Sequence, residues 1–139
     1  SLFEGLKHLN NNNAQHEYYL TDLVEILKKL GKKVVAIPCD DWQEVQGING
    51  NVELAHAAKY MQERINTEWM KKGVTIYDPN TTYIGPNVTF GTDVIIHPNT
   101  YLYGDTVVED YAEILPSTWL EDTNVSKAET VGPFIRRKG

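Results

Sequence analysis

The sequence predicts a composite fold: an α/β fragment, then one long helix, then a short parallel β-helix built from six-residue repeats. Three observations predict it. A helical pattern followed by a β-branched apolar run fills the first fifty residues. A capped, uninterrupted helical stretch follows. From Ile84 onward an apolar residue then returns at every sixth position.

In the first segment, residues 1–50, Leu2, Phe3, Leu6 and Leu9 share one helical face that ends at the run Asn10–Asn13. Consecutive asparagines compete for backbone groups and stop a helix. A second helix is predicted from Thr21 as N-cap, with Leu23, Ile26, Leu27 and Leu30 on one side, Lys28 and Lys29 in the last turn and Gly31 just beyond it. Lys33–Ile37 then reads as a buried strand stopped by Pro38, with Cys39 buried or at the strand edge. One strand in fifty residues cannot bury a sheet of its own, so this segment is expected to be part of something larger.

The second segment, residues 51–72, is predicted to be a single helix about 30 Å long. Asn51 is its expected cap, Glu53 suits the first turn, and Lys71, Lys72 and Gly73 mark the end. Leu54, Ala58, Met61, Ile65 and Trp69 form a narrow apolar stripe for packing.

The third segment, residues 73–139, carries the repeat. Ile84, Phe90, Ile96, Leu102, Val108, Ile114 and Leu120 recur without a break, and four places on come Val88, Val94, Thr100, Thr106, Ala112 and Thr118. Between them fall Pro or Gly and then Asn, Asp or Ser, the residues that turn a chain. Three short strands and three turns close one coil, and stacked coils make each apolar column a ladder down the core. Ile84 to Leu120 amounts to about two coils. Val125 and Val131 keep the period one residue out of phase, which predicts an interruption and a stub of a solenoid. Ile95, Tyr101, Val107 and Trp119 point outward and form a candidate subunit interface.

Composition narrows the function classes. With 41% hydrophobic and 23% charged residues the chain is globular, and its net charge of −6 argues against nucleic acid as a partner. A single cysteine rules out an internal disulfide framework, and no apolar run is long enough for membrane insertion. A cytoplasmic location is therefore expected. The basic run Arg136-Arg137-Lys138 is either a solvated end or part of an anion site.

The run Asn13-Ala14-Gln15-His16-Glu17-Tyr18-Tyr19, with Asp22, resembles the N-A-Q-G-E-Y-Y-x-x-D motif of the bacterial bifunctional N-acetylglucosamine-1-phosphate uridyltransferase / glucosamine-1-phosphate acetyltransferase family. Glu44-Val45-Gln46-Gly47-Ile48-Asn49 is similar to that family's E-V-x-G-V/I-N motif, and Gly132-Pro133-Phe134 to its G-P-F motif. The resemblance covers essentially the whole chain. It implies that residues 1–50 are the C-terminal part of a Rossmann-like nucleotidyltransferase domain. Residues 51–72 are then the linker helix, and residues 73–139 the start of a left-handed β-helix acetyltransferase domain that assembles as a homotrimer. The implied chemistry is uridylyl transfer to N-acetylglucosamine 1-phosphate with Mg²⁺, and acetyl transfer from acetyl-CoA to glucosamine 1-phosphate.

The resemblance further implies that Gly47 and Asn49 contact the sugar nucleotide, that Asn49 is a Mg²⁺ ligand, and that Arg137, or Arg136 beside it, binds substrate. Mg²⁺ takes several hard oxygen ligands, so one asparagine does not hold it. The family's G-x-G-T-R-M phosphate loop and its acetyltransferase histidine have no counterpart in these 139 residues. No residue here is assigned a catalytic role, and His16, where the family has glycine, is assigned none either. The expectation is an internal segment inactive by itself. The alternative is a non-catalytic β-helix oligomerisation module, with a stand-alone acyltransferase using the outward His97 as a third reading.

Overall fold

The computed structural model of the chain describes residues 2–139; Ser1, where the predicted first helix opens, lies outside the described residues. The chain divides into two compact units, Ser1–Val45 and Gln46–Gly139.

The first unit is a pair of short helices. Helix α1 spans Leu2–Leu6, shorter than the apolar face through Leu9 predicts, and α2 spans Leu23–Lys29. They pack where Gly5 is buried, since a Cβ there would sit 3.0 Å from Leu23 Cδ2 and 3.1 Å from Leu27 Cδ2. Thr21 is not the N-cap: it lies in a 3₁₀ turn, Leu20–Asp22, that runs directly into α2. The C-terminus does follow the sequence. Gly31 has φ +69°, Lys32 N–H donates to Leu27 O and Gly31 N–H to Lys28 O, which closes the helix with a left-handed cap.

The predicted strand Lys33–Ile37 is absent. These residues have no regular secondary structure, and Val35 and Ile37 are exposed. A strand is held by its neighbours, and no strand among the described residues of this unit offers a partner. Cys39 is accordingly exposed instead of buried, its thiol 3.1 Å from Asp41 O.

The second unit opens with α3, Asn51–Lys71, whose N-cap is Gly50 and not Asn51. Gly73, at φ +100°, ends it in the same left-handed manner as Gly31 ends α2, with Val74 N–H donating to Trp69 O. A parallel β-solenoid follows, of eleven short strands. They are β1 Thr75–Ile76, β2 Thr82–Ile84, β3 Thr89–Phe90, β4 Ile95–Ile96, β5 Thr100–Tyr103, β6 Val107–Val108, β7 Glu113–Ile114, β8 Trp119–Glu121, β9 Asn124–Val125, β10 Thr130–Val131 and β11 Arg136–Lys138. They stack in three sheets, β1-β4-β7-β10, β2-β5-β8-β11 and β3-β6-β9.

The solenoid therefore has nearly four coils, not the stub of two that the apolar column suggested. Val74 and Ile76 open the core one strand before Ile84, in the same first coil, and Val125 and Val131 continue it. The loss of phase does not interrupt the fold. Leu102 pairs with Leu120 eighteen residues on, whereas Val108 pairs with Val125 only seventeen on. One residue is missing from the corner around Asp122, which turns at φ +53°, and every later strand keeps its parallel partner.

The core is the pair of columns read from the sequence. Val94, Ile96, Leu102, Val108, Ala112, Ile114 and Leu120 are fully buried, and so are Thr82, Thr100, Thr106 and Thr118. Threonine is tolerated there because each hydroxyl donates to a carbonyl at its own corner, Thr100 to His97 O at 2.8 Å and Thr118 to Leu115 O at 2.7 Å. The corners turn through left-handed residues, among them Asp93, Asn99, Tyr111 and Ser117.

Helix α3 lies over the first coil. Ile65 and Trp69 pack on the core, with Trp69 edge-on to Phe90 at 4.9 Å. The rest of the predicted stripe does not bury: Leu54 and Met61 are exposed, and the residues most deeply buried on α3 are Gln62 and Asn66.

Candidate functional site

The candidate binding residues Gly47, Asn49, Arg136 and Arg137 fall in two places on the second unit. Gly47 and Asn49 lie in the segment Gln46–Gly50 that leads into α3, and both are exposed. A Cβ on Gly47 would meet only Asn49 Nδ2, at 3.9 Å, so the chain itself does not demand glycine there. Among the described residues no three acidic, histidine or cysteine side chains gather as a metal cage. Asn49 alone does not fit Mg²⁺, which needs about six oxygen ligands.

The second place is the last coil. Its strand β11 alternates outward, inward, outward, because Arg136 pairs with Trp119, Arg137 with Leu120 and Lys138 with Glu121. Arg137 thus takes the inward position of a core ladder and donates to Glu129 Oε1 at 3.1 Å. The Ser126 backbone N–H on Glu129, and next the Arg137 guanidinium, hold that carboxyl below the usual carboxylate range. On the outer side Lys138 pairs with Glu121 at 2.9 Å, which raises the lysine pKa.

Arg136 is the arginine that faces outward. Its guanidinium sits 5.6 Å over the Trp119 ring, and it lines an open groove of about 470 Å³ with Tyr101, Trp119, Ser117 and Phe134. Of the two arginines the sequence left open, Arg136 lines the open groove and Arg137 is paired with Glu129.

The groove continues a stack along the outside of the β2-β5-β8-β11 sheet. Tyr83 and Tyr101 stack at 5.1 Å with an interplanar angle of 4°, and Tyr101 and Trp119 at 5.3 Å. Sequence reading found Tyr101 and Trp119 but missed Tyr83, although its place one coil before Tyr101 is a readable signal. It also missed two carboxylates: Glu113 on His97, a contact that joins neighbouring coils, and Glu129 on Arg137, a contact across one corner of the last coil. His97 points outward as expected, but its Nε2 lies 2.7 Å from Glu113 Oε1 and the Tyr77 ring stands edge-on at 5.0 Å.

With this geometry in place, the motif spacing is matched by whole-chain similarity. The chain is 42% identical over 131 residues to the bifunctional protein GlmU of Halalkalibacterium halodurans, covering 94% of this chain and 29% of that protein. Against GlmU of Corynebacterium aurimucosum the identity is 45% over 130 residues, covering 94% and 27%. Against GlmU of Clostridium tetani it is 41% over 150 residues, covering 96% and 33%. This chain is a relative of the bifunctional GlmU proteins. It spans under a third of the length of the H. halodurans GlmU, so the likeness describes a segment of such a protein. With 94% of the chain aligned, the GlmU likeness reaches both compact units. No protein-family model matches the chain. Among the described residues no helix is long and apolar enough to cross a membrane.

Proposed function

We propose that this chain is a segment of a cytoplasmic bifunctional enzyme of UDP-N-acetylglucosamine synthesis. On this reading residues 1–50 are the end of a Rossmann-like nucleotidyltransferase domain, α3 is the linker, and the solenoid is the left-handed start of an acetyltransferase domain. The observation that carries the reading is the near-complete alignment of both units with GlmU proteins at about two identities in five. The parent chemistry is attack of the sugar phosphate on the α-phosphorus of UTP with loss of pyrophosphate, and acetyl transfer from acetyl-CoA to glucosamine 1-phosphate.

In the segment itself, exposed Gly47 and Asn49 would touch the sugar nucleotide, and Arg136 in place of Arg137 would meet the anionic substrate of the second reaction. Asn49 offers Mg²⁺ one amide oxygen and no more, so no step is assigned to the metal here. The segment alone is expected to be inactive. Incubation with UTP, N-acetylglucosamine 1-phosphate and Mg²⁺, and separately with acetyl-CoA and glucosamine 1-phosphate, tests this. Turnover in either assay would overturn it.

One observation favours a second reading, that the segment's own role is assembly. The outward stack of Tyr83, Tyr101 and Trp119 gives the solenoid a flat aromatic face, and such faces are enriched in protein contacts. A homotrimer joined through this face is the form proposed.

A further inference from the structure

Beside the apolar contacts of Ile65 and Trp69, the seam between α3 and the first coil carries a buried polar strip. Gln62 Nε2 donates to Pro79 O at 3.0 Å, Asn80 O at 3.2 Å and Thr82 O at 2.8 Å. Asn66 Nδ2, one turn further along the same face, donates to Pro79 O and Thr82 O, both at 2.9 Å. Lys59 Nζ adds a contact to Asn80 Oδ1 at 3.1 Å. Gln62 is 7% exposed and Asn66 0%.

The bend that receives these amides is itself fixed. Asp78 accepts from Asn80 N–H at 3.0 Å and from the Thr81 hydroxyl at 2.8 Å, and the Thr82 hydroxyl donates to Asp78 O at 2.8 Å. Apolar contact tolerates sliding and rotation, because dispersion and area burial are not directional. Carbonyl-directed amides do not tolerate it. A shift of α3 by one turn along the coil would break all the Gln62 and Asn66 bonds together and leave buried amides unpaired.

We infer that α3 and the β-solenoid form one rigid body, locked by Gln62 and Asn66 onto the Pro79–Thr82 bend. The end of α3 at Asn51 is then held at a set position on the solenoid. Any movement of residues upstream is taken up before Asn51 and not at the Gly73 junction. The inference rests on these contacts alone and does not depend on the proposed enzymatic role.

Native-state hydrogen exchange of the 139-residue chain in a denaturant series tests it. The amides of Gln62–Trp69 are expected to exchange within about tenfold of the core amides of Leu102 and Ile114, with the same denaturant dependence. Independent exchange of α3, roughly a hundredfold faster than the core, would overturn the inference. In Gln62→Leu and Asn66→Leu, α3 exchange is expected to accelerate by about tenfold or more, and by more than that of Leu102 and Ile114, as α3 gains an opening of its own. Unchanged α3 exchange in both variants would also overturn it. Should either variant fail to fold, the wild-type series decides alone.

Discussion

Arg137 stands in register with Leu120, on the inward side of the last coil, where the three earlier coils of that sheet carry no charge. The ladder Ile84, Leu102, Leu120 ends in a guanidinium, and Glu129 neutralises it. Replacing a half-buried ion pair by an apolar side chain of similar length is often neutral or stabilising. Removing both charges together, Arg137→Leu with Glu129→Gln, is therefore expected to keep the fold and to raise unfolding stability by about 1 kcal/mol, whereas Arg137→Leu alone leaves Glu129 uncompensated and should lower it. Denaturant unfolding measures it, and a comparable loss in the double variant would show that the pair stabilises the coil.

The same pair carries a pH dependence. The pKa of Glu129 is depressed in the folded protein, first by the Ser126 N–H and next by Arg137. A depressed carboxylate contributes stability above its unfolded pKa of about 4.3, and that stability is lost as pH falls through the lower folded value. The stability difference between wild type and Glu129→Gln should be constant at neutral pH and shrink in acid below about pH 4. Unfolding midpoints measured across that range check the sign.

Core and surface columns should separate cleanly on truncation. Ile114 is fully buried between Ile96 and Val131, so Ile114→Ala is expected to cost about 2–5 kcal/mol. Val107, outward on the neighbouring sheet and 43% exposed, should cost less than about 1 kcal/mol on the same change. Equal losses would contradict the assignment of faces.

Two glycines make opposite predictions. Gly104 turns its corner at φ +62°, and a Cβ there would collide with the Asp122 carboxylate that accepts from Asp105 N–H. Gly104→Ala is expected to destabilise by about 1–2 kcal/mol or more. Gly47→Ala has open space, so its stability should be unchanged. Within a longer active protein, Gly47→Ala would then report on ligand contact free of folding effects.

The outward aromatic face predicts self-association. Sedimentation equilibrium of the chain should show a concentration-dependent trimer, and Tyr101→Asp with Trp119→Asp should return it to monomer by placing charges on the stack. A strictly monomeric wild type would remove the assembly reading.

Much of the solenoid is legible in one dimension because its period is local. Each inward residue is followed by its turn and its next inward residue within six positions, so Ile84 through Leu120 report burial without knowledge of neighbours. The coil count was not legible. Val74 and Ile76 precede the regular column, and the shortened corner at Asp122 moves Val125 and Val131 off a phase that only strand pairing restores. The strand expected at Lys33–Ile37 failed for the opposite reason. Its composition favours a strand, but hydrogen bonding in a sheet needs a partner that sequence propensity cannot supply. At the candidate sites the motifs singled out Gly47, Asn49 and the two arginines, but not which arginine pairs with Glu129.

By itself the amino-acid order determined the repeat, the core columns, the left-handed ends of α2 and α3, and the likeness to a bifunctional family. These follow from short-range periodicity and from the few residues able to turn a chain. Tertiary structure alone decided that Arg137 faces inward to Glu129 while Arg136 faces the groove, and that α3 docks through Gln62 and Asn66 in place of Leu54 and Met61. Those outcomes depend on contacts that the six-residue period does not specify. Arg136 meets Trp119 seventeen residues back, Arg137 meets Glu129 across a corner eight residues away, and the α3 amides reach carbonyls thirteen to twenty residues on.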